Sequence, residues 1–81
     1  MFYAYILKSA KNGKYYVGST KNIERRLNEH NSGLVKFTKN YLPRIIVHKE
    51  YFETLSEARK REKQIKSWKK RSAIERLIKH F

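Results

Sequence analysis

The pair Asn12-Gly13 constrains this chain's fold more than any other feature of its sequence. Asn-Gly tolerates positive φ, and between strand-like runs it signals a tight β-hairpin. Upstream lies Phe2-Tyr3-Ala4-Tyr5-Ile6-Leu7-Lys8, aromatic and weakly alternating, which predicts a strand over residues 2–8. Downstream, Tyr15-Tyr16-Val17-Gly18 predicts the returning strand, ending at Gly18, where a glycine permits a bend or a close backbone approach. The hairpin is expected to set Tyr5 across from Tyr16 near its open end. Strand alternation turns Tyr15 to the face opposite Tyr16.

After the hairpin, Ser19, Thr20 and Asn22 are candidate caps for a helix. Ile23, Leu27, His30 and Leu34 recur at helical spacing, and Asn31-Ser32-Gly33 supplies a stop, which places the helix near 21–32. Residues 33–43 read as a loop punctuated by Phe37 and Tyr41 and closed by Pro43. The β-branched run at 44–52 predicts a third strand. Thr54-Leu55-Ser56-Glu57 has the form of a capping box, so a helix should run from about 55 to 67. Ser67 or Ser72 is expected to break it before a further helical segment holding Ala73, Ile74, Leu77 and Ile78. The order β-β-α-β-α-α implies an α+β fold: a small, three-stranded, mainly antiparallel sheet flanked by helices. With 81 residues, one domain spanning 1–81 is expected. There is no cysteine, so neither a disulfide nor a thiolate metal site can help, and apolar residues must supply the core.

Charge decides the class of partner. Lys and Arg total 20 against 7 Asp and Glu, a formal net charge of +13. So basic a chain repels itself when compact. A polyanion relieves that repulsion, and each phosphate neutralised releases a condensed counterion. DNA, gripped through its phosphate backbone, is therefore the expected partner. A membrane is not expected, because no apolar run approaches the roughly 20 residues that span a bilayer. The N-terminal run is too short and too aromatic for a signal peptide and lacks a basic leader, so the chain reads as cytoplasmic.

Several polar residues fall where apolar ones belong. Leu55, Ala58, Glu62 and Ile65 share one face of their expected helix, which sets the Glu62 carboxylate on the stripe facing the protein body. Glu57, by contrast, is explained by capping. Burying an unpaired carboxylate is costly. Glu62 is therefore either an ion-pair partner for one of many nearby cations or an oxygen ligand for a hard divalent cation. Arg26 and His30, four apart, flank the apolar side of the preceding helix, as a solvated basic edge or as a cradle for an anion. Tyr5 and Tyr16 are either core aromatics with wet hydroxyls or functional phenols. Trp68 is expected to pack helices together rather than to stack on bases.

Together these residues resemble the GIY-YIG nuclease superfamily, which includes the endonuclease subunit of bacterial excision repair and some homing endonucleases. Tyr3-Ala4-Tyr5 is similar to the first half-motif and keeps its terminal tyrosine, and Tyr16-Val17-Gly18 is similar to the second. Ten residues beyond Tyr16, Arg26 stands at the position of the family's arginine, with His30 four residues later, as in some members. Arg61-Glu62-Lys63-Gln64-Ile65-Lys66 resembles the segment bearing the metal-binding glutamate, and Gly18 to Leu27 resembles short standalone bacterial members. The chain departs from the pattern in one place: many members carry an asparagine beyond the glutamate, and none follows Asn40 here.

The resemblance implies metal-dependent hydrolysis of DNA phosphodiesters, structure-directed or weakly sequence-specific, in repair or recombination. It casts Tyr16 as general base, His30 as a relay for its proton, Arg26 as stabiliser of transition-state charge, and Glu62 as ligand of one Mg²⁺ or Mn²⁺. Tyr5 would orient the nucleophile or line the pocket. The residue types suit these tasks. A phenol can take a proton from water only where a cation draws its pKa down from roughly 10. A guanidinium fork matches phosphate. Mg²⁺ keeps several waters and needs few protein ligands. With no residues left for a sequence-reading module, targeting would come from DNA shape, a flap or branch, or a protein partner. The alternative is a catalytically idle nucleic-acid-binding module with the same fold.

Overall fold

A computed structural model describes residues 1–32 and 44–80. The loop expected at 33–43, with Phe37, Tyr41 and Pro43, lies outside the described residues, as does Leu34. The elements are β1 (Phe2–Ser9), β2 (Tyr15–Thr20), α1 (Ile23–Asn31), β3 (Arg44–Phe52), α2 (Leu55–Ser67) and α3 (Arg71–His80). The sheet has the order β2-β1-β3, and both pairings are antiparallel. The expected α+β architecture is the one observed.

The hairpin forms around Asn12-Gly13, but its register differs from the expected one. Ser9 N–H donates to Lys14 C=O at 2.9 Å, Gly13 N–H donates back to Ser9 C=O at 2.9 Å, and Gly13 takes φ 74°. The Ser9 hydroxyl accepts from the amides of Lys11 and Asn12, and the Asn12 side chain accepts from the Lys14 amide. These bonds hold a loop wider than a two-residue turn. The register it sets pairs Tyr5 with Gly18 and Leu7 with Tyr16. Tyr5 and Tyr16 are thus diagonal neighbours on one face, not directly opposed. Strand β2 also continues past Gly18 to Thr20, because glycine here stays extended and paired.

Strand β1 alternates weakly for a physical reason: it is central and covered on both faces. Ala4, Tyr5, Ile6 and Leu7 are all buried. On one face Tyr5 and Leu7 pack with Ile23 and Leu27 of α1, Tyr16 and Ile46. On the other, Ile6 and Val17 pack with Ile65 and Trp68 at the end of α2 and with Ile74, Leu77 and Ile78 of α3. Ile46 and Val47 serve opposite clusters by strand alternation, and a bulge between Ile6 and Leu7 in the β1–β3 pairing leaves Val47 as the extra residue between Ile46 and His48.

Local chemistry fixes the helix ends. Asn22 is the cap of α1, its side chain accepting from Arg25 N–H at 3.0 Å. Asn31 then ties the end of α1 to β3: its side chain accepts from Arg44 N–H at 2.7 Å and donates to Arg44 C=O at 3.1 Å. Thr54 caps α2 by accepting from Glu57 N–H. Glu57 answers through the Thr54 hydroxyl, not the cap amide, so the capping box is only half formed. Helix α2 ends at Ser67, one of the two expected break points, and Ser72 lies inside α3. The chain turns two residues later at Lys69, whose φ of 56° is left-handed and cannot continue a helix. No helix among the described residues is long and apolar enough to cross a membrane.

Candidate active site

Tyr5 is the centre of the site. It is buried in the middle of β1, on the α1 side of the sheet. Its partner across the hairpin is Gly18, and the phenol lies over that glycine. A Cβ built at Gly18 would stand 2.5 Å from the Tyr5 hydroxyl oxygen and 2.7 Å from Cζ. Only glycine leaves room for the ring, so the glycine of Tyr16-Val17-Gly18 is needed for close approach and not for a bend.

Helix α1 brings its polar residues onto this ring. His30 is completely buried, and its Nε2 shares a 3.3 Å hydrogen bond with the Tyr5 hydroxyl. The Tyr16 and His30 rings meet edge to face, with centroids 4.7 Å apart at 61°. One turn earlier lies Arg26, a neighbour of Tyr5 and Tyr16, whose guanidinium donates to Glu29 at 3.2 Å. Arg44, at the start of β3, lies 5.8 Å from the centre of the Tyr16 ring. Tyr5, Tyr16, Arg26 and His30, which the sequence spreads over three elements, therefore form one cluster.

Burial and charge set the protonation of this cluster. Burial pushes the Tyr5 phenol up to about 12, although the Arg26 hydrogen bond opposes it. Burial, followed by the charges of Arg26 and Arg44, pushes His30 down to about 4. At neutral pH both are uncharged. The expected pair of neighbouring cations is thus a single cation: Arg26 carries the charge, raised further above its ordinary value chiefly by the Tyr5 hydrogen bond.

Glu62 approaches from the other face. Its carboxylate accepts from the Ser19 hydroxyl at 2.6 Å and from Lys66 Nζ at 2.6 Å. Burial works against its charge, but the hydrogen bonds from Lys66 and Ser19 and the charges of Lys66 and Arg59 outweigh it. Glu62 therefore lies below the usual carboxylate range. Strand alternation directs Ser19 to the α2 side while Gly18 and Tyr16 face α1. The two halves of the site thus belong to opposite faces of the sheet and meet at its β2 edge. The meeting is electrostatic as well, since the charge of Glu62 acts on the Tyr5 phenol.

Glu62 is paired, as one reading of its position requires, and ionised, as the other requires. Among the described residues no group of three or more His, Cys, Asp or Glu could cage a metal. One ionised, partly exposed carboxylate suits Mg²⁺ or Mn²⁺, which keep much of their water shell. Sequence reasoning missed Ser19 as the partner of Glu62, having weighed it only as a helix cap. Lys66 was legible as the residue one turn beyond Glu62. Nothing in the sequence marked Arg44 as a neighbour of Tyr16.

Paired tyrosines over a glycine, with an arginine on the next helix and a glutamate reaching the same strand edge, define a nuclease-like class of small α+β domain. Residues 1–76 match the GIY-YIG catalytic domain, and the chain belongs to that family. Its relatives include a UPF0213 protein of Staphylococcus saprophyticus, 42% identical over 89% of this chain and 88% of its own length. A UPF0213 protein of Syntrophus aciditrophicus is 47% identical over 93% of this chain and 84% of its own length. The solution NMR structure of a UPF0213 protein from Bacillus halodurans shares the fold, with a TM-score of 0.60 and 33% identity over 98% of this chain and 84% of that one. These names state no activity.

Proposed function

We propose that the chain is a divalent-metal-dependent endonuclease that hydrolyses DNA phosphodiesters and selects its substrate by structure more than by sequence. Repair or recombination is the setting in which such an activity serves. One observation carries the reading: a buried phenol lies over Gly18, hydrogen-bonded to His30 and beside the charge of Arg26, while an ionised glutamate occupies the same strand edge.

The roles follow from protonation. Tyr5, pushed up to about 12, keeps its proton at neutral pH and serves as a donor that orients the attacking water or the phosphate. The task of accepting the water's proton then falls to Tyr16, the other phenol beside Arg26. His30, pushed down to about 4, is a poor acceptor for that proton, and its hydrogen bond to the Tyr5 hydroxyl makes it a positioning residue instead. Arg26 lies beside both hydroxyls with its charge fixed, and it stabilises the negative charge that builds on the phosphoryl oxygens. Glu62 would hold the metal, and Lys66 would swing away to admit it. A Mg²⁺ or Mn²⁺ held there would supply positive charge to offset that of the phosphate and the leaving oxygen.

The idle DNA-binding module is the second reading, and one observation favours it: Lys66 and Ser19 already satisfy the Glu62 carboxylate without a metal. Plasmid nicking separates the two. The nuclease reading expects nicking only with Mg²⁺ or Mn²⁺, and its loss in Glu62→Gln with the fold intact. Equal nicking by Glu62→Gln at saturating Mg²⁺ overturns the metal assignment. If the wild-type protein binds plasmid but never nicks it with either metal, the idle module is the better account.

A further inference from the structure

Among the described residues, Tyr51 is the only aromatic side chain that stands largely in water, 54% exposed. It lies on β3 directly opposite Tyr3 of β1. The two rings meet edge to face, 6.0 Å between centroids at 66°. Lys49, two residues earlier on the same face, holds its ammonium 6.0 Å from the centre of the Tyr3 ring. Tyr3 packs against the Tyr5–Leu7–Ile23 cluster, but neither core cluster contains Tyr51.

The corner adjoins the candidate active site. Tyr3 and Lys49 line a groove of about 810 Å³ whose other walls include Ser19, Lys21, Arg25 and Arg26. Arg26 is the phosphate-binding arginine of the reading above, and Ser19 holds Glu62. Tyr3, whose ring meets that of Tyr51, and Arg26 therefore share one groove. Its walls carry four cations, Lys21, Arg25, Arg26 and Lys49, against Glu24 and Glu29. Glu29 is itself paired with Arg25 and Arg26.

An open aromatic face beside a file of cations matches an unpaired nucleotide, whose base stacks while its phosphates neutralise the cations. A base inside a duplex already has stacking partners above and below and offers no free face. We propose that Tyr51 and Tyr3 form a stacking subsite for one unpaired base. The DNA strand bearing it runs along the groove past Lys49 to Arg26. The inference rests on the nuclease reading and deepens it: the substrate has an unpaired nucleotide beside the scissile phosphate, as at an overhang, a flap or a gap.

The test is binding without cleavage, in a Glu62→Gln background. The probes are a fluorescein-labelled blunt hairpin duplex and the same hairpin carrying a short single-stranded extension. The extension should tighten binding by roughly 5- to 150-fold, the worth of one base–aromatic stack. Tyr51→Ala should remove that gain, and Tyr51→Phe should keep it. Both variants should bind the blunt hairpin as the parent does and melt at its temperature. Three outcomes overturn the subsite alone: no gain from the extension, an equal loss in the Phe and Ala variants, or an equal loss by Tyr51→Ala on blunt duplex. Failure to bind either DNA overturns the subsite together with the nuclease reading.

Discussion

Gly18→Ala probes the centre of the site with one methyl group. The new Cβ would lie 2.5 Å from the Tyr5 hydroxyl oxygen, 2.7 Å from Cζ and 3.1 Å from Cε2. A flexible surface side chain would swing away from such a contact at little cost. Tyr5 cannot, because it is only 1% exposed, sits on the central strand and is hydrogen-bonded to His30. Forcing an extra carbon into a packed core typically costs about 1–3 kcal/mol. At about 4–8 °C per kcal/mol for a chain of this size, the melting temperature should fall by roughly 5–20 °C. The displaced phenol should also slow DNA cleavage. Thermal denaturation followed by circular dichroism reads the stability term, and a double-mutant cycle assigns it. In a Tyr5→Leu background the clashing atoms are gone, so Gly18→Ala should become nearly neutral. If the Ala variant melts with the wild type, or if its cost is the same in both backgrounds, the phenol does not lie across Gly18.

Three further outcomes are expected. Tyr16→Phe should lower the single-turnover cleavage rate by about 10²- to 10⁴-fold with DNA binding kept, whereas Tyr15→Phe should change it far less; equal rates for Tyr16→Phe and wild type would remove Tyr16 as the base. His30 makes stability depend on pH: the unfolded chain takes up a proton near 6.5 that the folded chain refuses until about 4, so this contribution is complete above pH 6.5 and is lost as pH falls toward 4. It amounts to up to about 3 kcal/mol, and urea titrations at successive pH values should show a His30→Gln variant lacking that loss. Lys69→Gly relieves a left-handed backbone, and it should raise stability by about 1 kcal/mol in denaturant titration; a fall would mean that the Lys69 side chain stabilises the α2–α3 junction.

The sequence carried the elements well and the relations between them less well. Asn12-Gly13 announced a hairpin because few residue pairs tolerate that turn. The register was illegible because the Ser9 hydroxyl and the Asn12 side chain widen the loop, and no propensity encodes that. Hence Tyr5 was expected opposite Tyr16 and is found opposite Gly18. Gly18 read as a bend because a glycine's conformational freedom is visible in sequence and the ring lying over it is not. Helical spacing correctly put Glu62 on the stripe of Ala58 and Ile65, both buried. The same spacing could not reveal Ser19, 43 residues earlier, as its hydrogen-bond partner. His30 shows the limit most clearly. Its place beside Arg26 suggested two cations, and complete burial makes it neutral instead.

Strand β1 gives the molecule a property that neither of its apolar clusters would have alone. Ala4, Tyr5, Ile6 and Leu7 are buried side by side, facing α1 and the α2–α3 pair in turn. Neither layer can peel away without exposing one side of the strand that supports the other. Opening should therefore be all-or-none, with no half-folded species in which one layer survives. Amide hydrogen exchange would register this as a single slow class spanning β1 and its partners in β2 and β3, with rates set by the global unfolding free energy. The strand that carries Tyr5 is then among the last parts of the protein to move.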